Sequence, residues 1–388
     1  MSRLDSVLKW DSIVDIRKRL IDDCMRYDSI IIWGAGIGGA TTADILQDND
    51  LYERIICFVD NDPNKQGMLY KGKLVRALND LESTDKQSIF IVSSTAFNII
   101  VKQLVVAGVD KNNVVYFQPA RLSVDDEDDR EYIRNHIDDY GLAYDALCDD
   151  LSKRIFENLL NYKISRDVTY LENMIPDIDD EGVQYFDKQL ISAGLLQDGF
   201  IDGGAYDGDT VISLYKHFPY YKGKVFCYEA EKDNYEKLQQ RVSKMELENV
   251  VCINRAMWES DGELSIETSE VGGDAGSKVS STGKSTIKCC ALDSMTDKHQ
   301  KIDFIKMDIE GAEKEALRGG RKLIEKYHPT LAICVYHKIE DLYEVWKIIE
   351  TYTPGVYNFY LRQYRFGDSE TVLYAIPKNE NNIGREAI

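Results

Sequence analysis

The sequence predicts an α/β protein made of two doubly wound, Rossmann-like units joined by a helical connector. Three observations carry this. A short apolar run ends in a glycine-rich turn that opens an amphipathic helix twice, at 29–46 and at 199–215. In each half, strand-like and helix-like runs alternate, the pattern of a parallel sheet. The stretch between the halves is rich in helix formers and poor in strand-like runs. A chain of 388 residues is long for one core and natural for two, and 44% hydrophobic residues are enough to fill them. The expected units are 1–124, 125–190 and 191–388.

The first unit reads as a helix at 13–25, strand at 29–33, turn Gly34-Ala-Gly36-Ile-Gly38-Gly39, then helix at 40–46. Strands follow at 54–59, 88–92 and 113–117, with a helix at 96–107 ended by Gly108. Gly34, Gly36 and Gly39 with Asp60, at the end of the second strand, have the layout of a dinucleotide site. Such a glycine motif is weak alone. An empty scaffold or a dimerisation unit is the competing reading, and no Tyr-x-x-x-Lys pair occurs at 30–120.

The acidic run Asp125-Asp-Glu-Asp-Asp129 reads as a solvated boundary, followed by helices at 132–147 and 151–165. The last unit has strands at 199–202, 224–229, 250–254, 303–307, 330–336, 357–361 and 371–376. Residues 262–292 look inserted. Their Gly/Ser-rich centre, 271–283, predicts a mobile loop, and 285–292 a strand. The polar tail at 378–388 is expected to fray.

Composition excludes several classes of function. Lys and Arg number 47 against 67 Asp and Glu, a formal charge of −20 that repels nucleic acid and anionic membranes. No apolar run approaches the ~20 residues of a membrane span. Met1-Ser-Arg-Leu-Asp5 lacks the apolar stretch of a signal peptide. The eight cysteines show no zinc spacing, and most lie in strand-like runs, as buried thiols in a reducing compartment do. A cytoplasmic location is the expectation.

The most informative segment is Phe200-Ile-Asp-Gly-Gly-Ala-Tyr-Asp-Gly-Asp-Thr210. Gly203 and Gly204 would let a bulky ligand lie on the backbone. About 27 residues past Asp202, the next strand ends in Glu229, placed to take both hydroxyls of a ribose. The turn has no lysine, no row of glycine amides, and three acids, Asp202, Asp207 and Asp209. That suits a cationic nucleoside better than a polyphosphate, and S-adenosylmethionine, a sulfonium, fits. Asp308, Glu310 and His337 lie at the C-terminal ends of later strands, where ligands of open α/β sheets bind. Asp308 and His337 are the candidate bases. Glu310 could orient an acceptor or help hold a divalent ion, but no metal is assigned.

Four pieces together resemble the FkbM family of S-adenosylmethionine-dependent methyltransferases. They are the 200–210 segment, Tyr228-Glu229-Ala-Glu231, Ile302-Asp-Phe-Ile-Lys-Met-Asp308-Ile-Glu310-Gly311-Ala-Glu313, and the closing Phe359-Tyr-Leu-Arg-Gln363 with Glu370-Thr-Val-Leu-Tyr374. Tyr185-Phe186 also resembles that family, so the likeness covers roughly 185–377. It implies a class I methyltransferase fold in the C-terminal unit. It places Asp202, Gly203, Gly204 and Gly208 under the methionine part of the cofactor, Glu229 on the ribose, and Asn254 and Ala256 beside the adenine. It also implies O-methylation of a sugar or glycan precursor in polysaccharide, glycoprotein or natural-product biosynthesis. N-methylation of an amino sugar or of a glycan-attached amino acid is the first alternative. A NAD-dependent sugar-modifying enzyme, or a non-catalytic nucleotide-binding scaffold, acting through the N-terminal unit is the second. That unit resembles the Rossmann-type domains preceding some sugar-modifying enzymes. The expected partners are a small-molecule or glycan acceptor and a second copy in a homodimer.

Overall fold

The computed structural model describes residues 3–94, 96–119, 126–172, 174, 184–268, 277–279, 285–295 and 300–378. Most of the Gly/Ser-rich centre, nearly all of the tail and the start of the acidic run lie outside the described residues.

The N-terminal sheet holds β1 (Ile30–Trp33), β2 (Ile55–Val59), β3 (Leu69–Tyr70), β4 (Lys73–Arg76), β5 (Ile89–Val92) and β6 (Val114–Tyr116) in the order β3-β4-β2-β1-β5-β6. Only β3 is antiparallel to its neighbour. Helices α1 (Ile16–Cys24), α2 (Ile37–Gln47) and α3 (Phe97–Val106) belong to this unit. The β3–β4 hairpin was not expected from sequence, because its Lys-Gly turn sits among exposed, charged residues with little periodicity.

Four helices follow: α4 (Asp126–Asn135), α5 (Ile137–Ala146), α6 (Asp150–Ser165) and α7 (Thr169–Glu172). They do more than link. A single buried apolar cluster runs from Ile31 and Trp33 of the first sheet through Tyr140 and Phe156 to Met307 and Phe359 of the second. The Arg362 guanidinium, almost fully buried, reaches Asp149 at 2.6 Å just ahead of α6. The Cys148 amide donates to the Phe359 carbonyl, and Leu147 bridges to Phe359 in parallel. The middle segment thus covers an edge that would otherwise expose unpaired backbone. Phe366 packs on Phe97 and Tyr116, with ring centroids 4.5 and 4.6 Å away, which ties the N-terminal unit directly to the C-terminal one.

The C-terminal unit contains β7 (Gly199–Gly203), α8 (Asp209–His217), β8 (Lys224–Tyr228), α9 (Lys232–Lys244) and β9 (Val250–Ile253). Then come β10 (Ala256–Met257), β11 (Gly262–Thr268), β12 (Ser277–Val279), β13 (Ser285–Cys290) and α10 (Leu292–Met295). The last elements are β14 (Phe304–Met307), α11 (Glu313–Gly319), α12 (Arg321–Tyr327), β15 (Thr330–Cys334), α13 (Asp341–Tyr352), β16 (Tyr357–Gln363) and β17 (Thr371–Pro377). The main sheet runs β16-β17-β15-β14-β7-β8-β9, with β17 antiparallel to both neighbours and the remaining pairs parallel. Three strands of the inserted segment form a four-stranded sheet with β10, in the order β10-β13-β11-β12. The alternation of Leu264 and Ile266 in β11 is the signal for it, short enough to be hidden by the flanking glycines and serines.

Strand order reverses between β7 and β14. Chains leave these neighbours in opposite directions, so a crevice opens beyond their C-terminal ends. Asp202, Glu229, Asp308 and His337 all lie around that crevice.

Candidate active site

The floor of the crevice is the turn after β7. A Cβ on Gly203 would lie 2.4 Å from Met257 Sδ, and one on Gly204 would lie 1.9 Å from the Asp308 carbonyl oxygen. Gly204 also has φ +71°, a conformation that strains other residues. Gly204 is therefore required by the protein itself, because it lets the turn close against the end of β14, whereas a Cβ on Gly203 would mainly displace the flexible Met257 side chain. These protein contacts act beside the ligand approach expected from sequence. Gly208, at φ +91°, precedes α8 and sits close to Leu238.

Asp202 is fully buried, and its carboxylate lies 3.0 Å from Lys306 Nζ. Lys306 also donates to the carbonyls of Gly203 and Gly204 at 3.0 and 2.8 Å. One side chain on β14 thus pins the whole turn. Burial alone would neutralise this ammonium, but Asp202, Asp308 and Asp209 outweigh it and raise its pKa. Burial pushes the Asp202 carboxyl up, against the pull of Lys306. Asp207 is held by Arg241 through two bonds of 3.0 and 2.6 Å. Two of the three acids expected to favour a sulfonium are therefore neutralised within the protein, a correction to the charge argument made from sequence.

Glu229 follows β8 and is 8% exposed. Its two oxygens each accept a backbone N–H, from Tyr206 and from Glu231, both at 2.8 Å. Each oxygen keeps a second lone pair. Burial raises its pKa to about 7, against the pull of those two amides. A vicinal diol supplies two hydroxyl donors, which is what a half-satisfied buried carboxylate lacks, so the residues present fit the ribose of S-adenosylmethionine. Asn254 braces this acid from behind, its amide donating to the carbonyls of Glu229 and Ala230 at 2.9 and 3.1 Å. Ala256 opens β10, half-buried, next to Cys289 of β13.

Across the crevice, Asp308 follows β14. Its Oδ2 accepts the Tyr185 hydroxyl at 2.8 Å and its Oδ1 the Tyr336 hydroxyl at 3.1 Å. Burial opposes its ionisation, but Lys306, His337 and the two phenols hold it below the usual carboxylate range. His337 Nε2 lies 3.5 Å from Asp308 Oδ1 and 3.8 Å from Glu310 Oε2, and Nδ1 lies 3.1 Å from Glu313 Oε1. Burial would lower the imidazole pKa, but Glu313, Asp308 and Glu310 outweigh it and bring it to about 9. With no further ligand, His337 carries its proton through the neutral range.

The structure thus brings Asp308, Glu310 and His337 together and sets Glu229 on the opposite wall. Sequence reasoning missed Lys306 and Tyr336 as site residues and saw Tyr185 only as a family mark. Lys306 had a readable signal, being a lysine inside an apolar strand two residues before Asp308. The tyrosines had none. Tyr185, at φ +71°, reaches Asp308 from a segment 123 positions away in sequence.

The N-terminal glycine turn is organised differently. Asp60 Oδ2 accepts from the Ala35 amide at 2.9 Å and from Lys65 Nζ at 3.0 Å, and Oδ1 accepts from the Asp62 amide at 2.9 Å. The acid is committed to bracing the turn. A Cβ on Gly39 would meet the Gly34 carbonyl oxygen at 2.0 Å, whereas Gly34 and Gly36 face open space.

Residues 202–366 match the family model of the methyltransferase FkbM domain. Residues 202–366 form an FkbM methyltransferase domain. Its cofactor is S-adenosylmethionine, and its sheet is that of a class I methyltransferase. Residues 26–115 match a second model, the C2185-like N-terminal domain. The FkbM methyltransferase of Methylobacillus flagellatus KT superposes with a TM-score of 0.61 at 21% identity, covering 94% of this chain and 96% of that one. The match therefore includes the N-terminal unit and the helices as well as the FkbM domain. The hexuronic acid methyltransferase AglP of Haloferax volcanii is 25% identical over 157 residues, 40% of this chain. This chain spans 64% of the length of that relative. Among the described residues, no helix is long and apolar enough to cross a membrane.

Proposed function

We propose that the chain transfers a methyl group to a hydroxyl of a sugar or glycan precursor, with a hexuronic acid as the first acceptor class to test. The observation that carries this is the pairing across one crevice of Glu229, a half-satisfied carboxylate suited to a ribose, with Asp308, an ionised carboxylate suited to a hydroxyl. The likeness to a hexuronic acid methyltransferase supports a sugar acceptor.

S-adenosylmethionine supplies an activated methyl group when bound. The protein's task is then alignment and proton removal. Glu229 and the turn it braces fix the nucleoside. Asp308, locked by Tyr185 and Tyr336, presents a rigid acceptor for the hydroxyl proton. A low pKa does not disqualify it. Methylation turns the hydroxyl into an oxonium, a far stronger acid than any carboxylic acid, so a weak base placed in contact suffices. The test is release of S-adenosylhomocysteine with uronate-bearing and neutral glycans. Turnover on the uronate class is expected, and no methyl transfer to any sugar hydroxyl would overturn the reading.

Glu229 also sets a pH dependence. Its pKa in the folded protein, about 7, lies above the ordinary glutamate value. In the empty pocket the carboxyl is therefore protonated below that pH, and taking two hydroxyl donors favours its ionised form. Cofactor affinity is expected to be level above pH ~7.5 and to fall toward tenfold per unit below pH ~6.5, with proton release on binding. The sign for stability is opposite. Glu229 stabilises the empty protein fully below the ordinary glutamate pKa, and that contribution is lost as pH rises from there through about 7. Titration calorimetry in buffers of different ionisation enthalpy reads the affinity and the proton release, urea unfolding at several pH values reads the stability, and Glu229→Gln is expected to flatten both pH profiles.

A further inference from the structure

We propose that Asp308, Glu313 and His337 form a binding site for a first-row divalent cation. One ligand atom from each residue can be chosen so that all lie within 4.8 Å of one another. Donors sharing one ion at about 2.1 Å are separated by roughly 3–4 Å, so small side-chain movements close the site.

The second observation is a set of orphaned polar atoms at the same place. Both ring nitrogens of His337 and Oε2 of Glu313 are buried without a hydrogen-bond partner. The His337 side chain is 8% exposed and that of Glu313 is 0% exposed. Nδ1 forms an ion pair with Glu313 Oε1 at 3.1 Å, but neither ring nitrogen has an aligned hydrogen-bond partner. Buried polar atoms without an aligned partner are uncommon, and a bound ion is one of the few explanations for a cluster of them.

The carboxylates are oriented from behind, as metal ligands are. Asp308 is fixed by Tyr185 and Tyr336, and Glu313 Oε1 accepts the Ile309 amide at 2.9 Å. Gly311, at φ +89°, lets the loop carrying Glu313 close against His337 and Lys338. Glu310 sits at the exposed side, 3.8 Å from the imidazole. One imidazole with two carboxylates favours manganese-like or zinc-like ions over magnesium or calcium, which prefer all-oxygen sets. Three protein ligands leave positions open. On the methyl-transfer reading given above, an acceptor hydroxyl takes one of them and becomes more acidic there.

The test uses the untagged full chain, stripped with a chelator and titrated with Mn²⁺. One equivalent is expected to bind, and pulsed electron paramagnetic resonance should show a single imidazole nitrogen coupled to it. The chain has five histidines, so His337→Gln identifies which one. That variant and Asp308→Asn should weaken binding on the order of 100-fold or more, and Glu313→Gln by at least ~10-fold. No binding at millimolar Mn²⁺, or binding without nitrogen coupling in the wild type, overturns the site even if a variant misfolds. S-adenosylmethionine affinity is measured on the same samples. Cofactor binding in a protein that takes up no Mn²⁺ sinks the cation site alone. Nitrogen-coupled Mn²⁺ in a protein that ignores the cofactor supports the cation site and sinks the methyl-transfer reading.

Discussion

Asp308→Asn is expected to lower methyl transfer by about 10²–10⁴-fold. The carboxylate faces the acceptor side of the crevice, and its two oxygens are locked by Tyr185 and Tyr336 at 2.8 and 3.1 Å. An amide keeps the shape but cannot accept the oxonium proton, and its NH2 can no longer accept from one of the two phenols. Cofactor affinity should change much less, because Glu229 and the turn after β7 lie on the opposite wall. Steady-state kinetics with calorimetry on the same variant separates the two. Turnover within threefold of wild type would remove Asp308 from the chemistry. Affinity falling in step with rate would make it a cofactor-positioning residue instead.

Lys306→Met is expected to destabilise the fold by about 3–5 kcal/mol. The ammonium is almost fully buried and serves Asp202 and the carbonyls of Gly203 and Gly204 at once. Methionine fills most of its volume but leaves a buried carboxylate without its cation and two carbonyls without a donor. Urea unfolding reads the loss. The double variant Lys306→Met with Asp202→Asn should recover part of it, since the second change removes the uncompensated charge. A loss below about 1 kcal/mol in the single variant would show that this pair is not what pins the turn.

Much of this site was legible because its chemistry is local in sequence. The strand, turn and helix around Asp202, and the acid ending the next strand, are spacing features of a doubly wound fold, and both lie where spacing put them. The reasons were less legible. Gly203 and Gly204 read as space for a ligand, whereas the contacts that a Cβ would meet come from Met257 and Asp308, more than 50 positions away. The charge of Asp207 was readable, but its cancellation by Arg241 on α9 is a tertiary event. Tyr185 and Tyr336 carried no pattern of their own, because a phenol gains its role from the carboxylate it meets. The helices between the halves read as a linker, since amphipathic periodicity reveals a buried face without saying what covers it. Tyr140 and Phe156 are in fact shared by one core that spans both sheets.

The central claim is that the crevice between Glu229 and Asp308 holds S-adenosylmethionine, and the most direct measurement is cofactor affinity in wild type and Glu229→Ala at pH 8. Two hydrogen bonds to an ionised acceptor contribute about 2–3 kcal/mol, so the variant is expected to bind about 30- to 150-fold more weakly. Equal affinity in the two proteins, or no binding by the wild type, would contradict it.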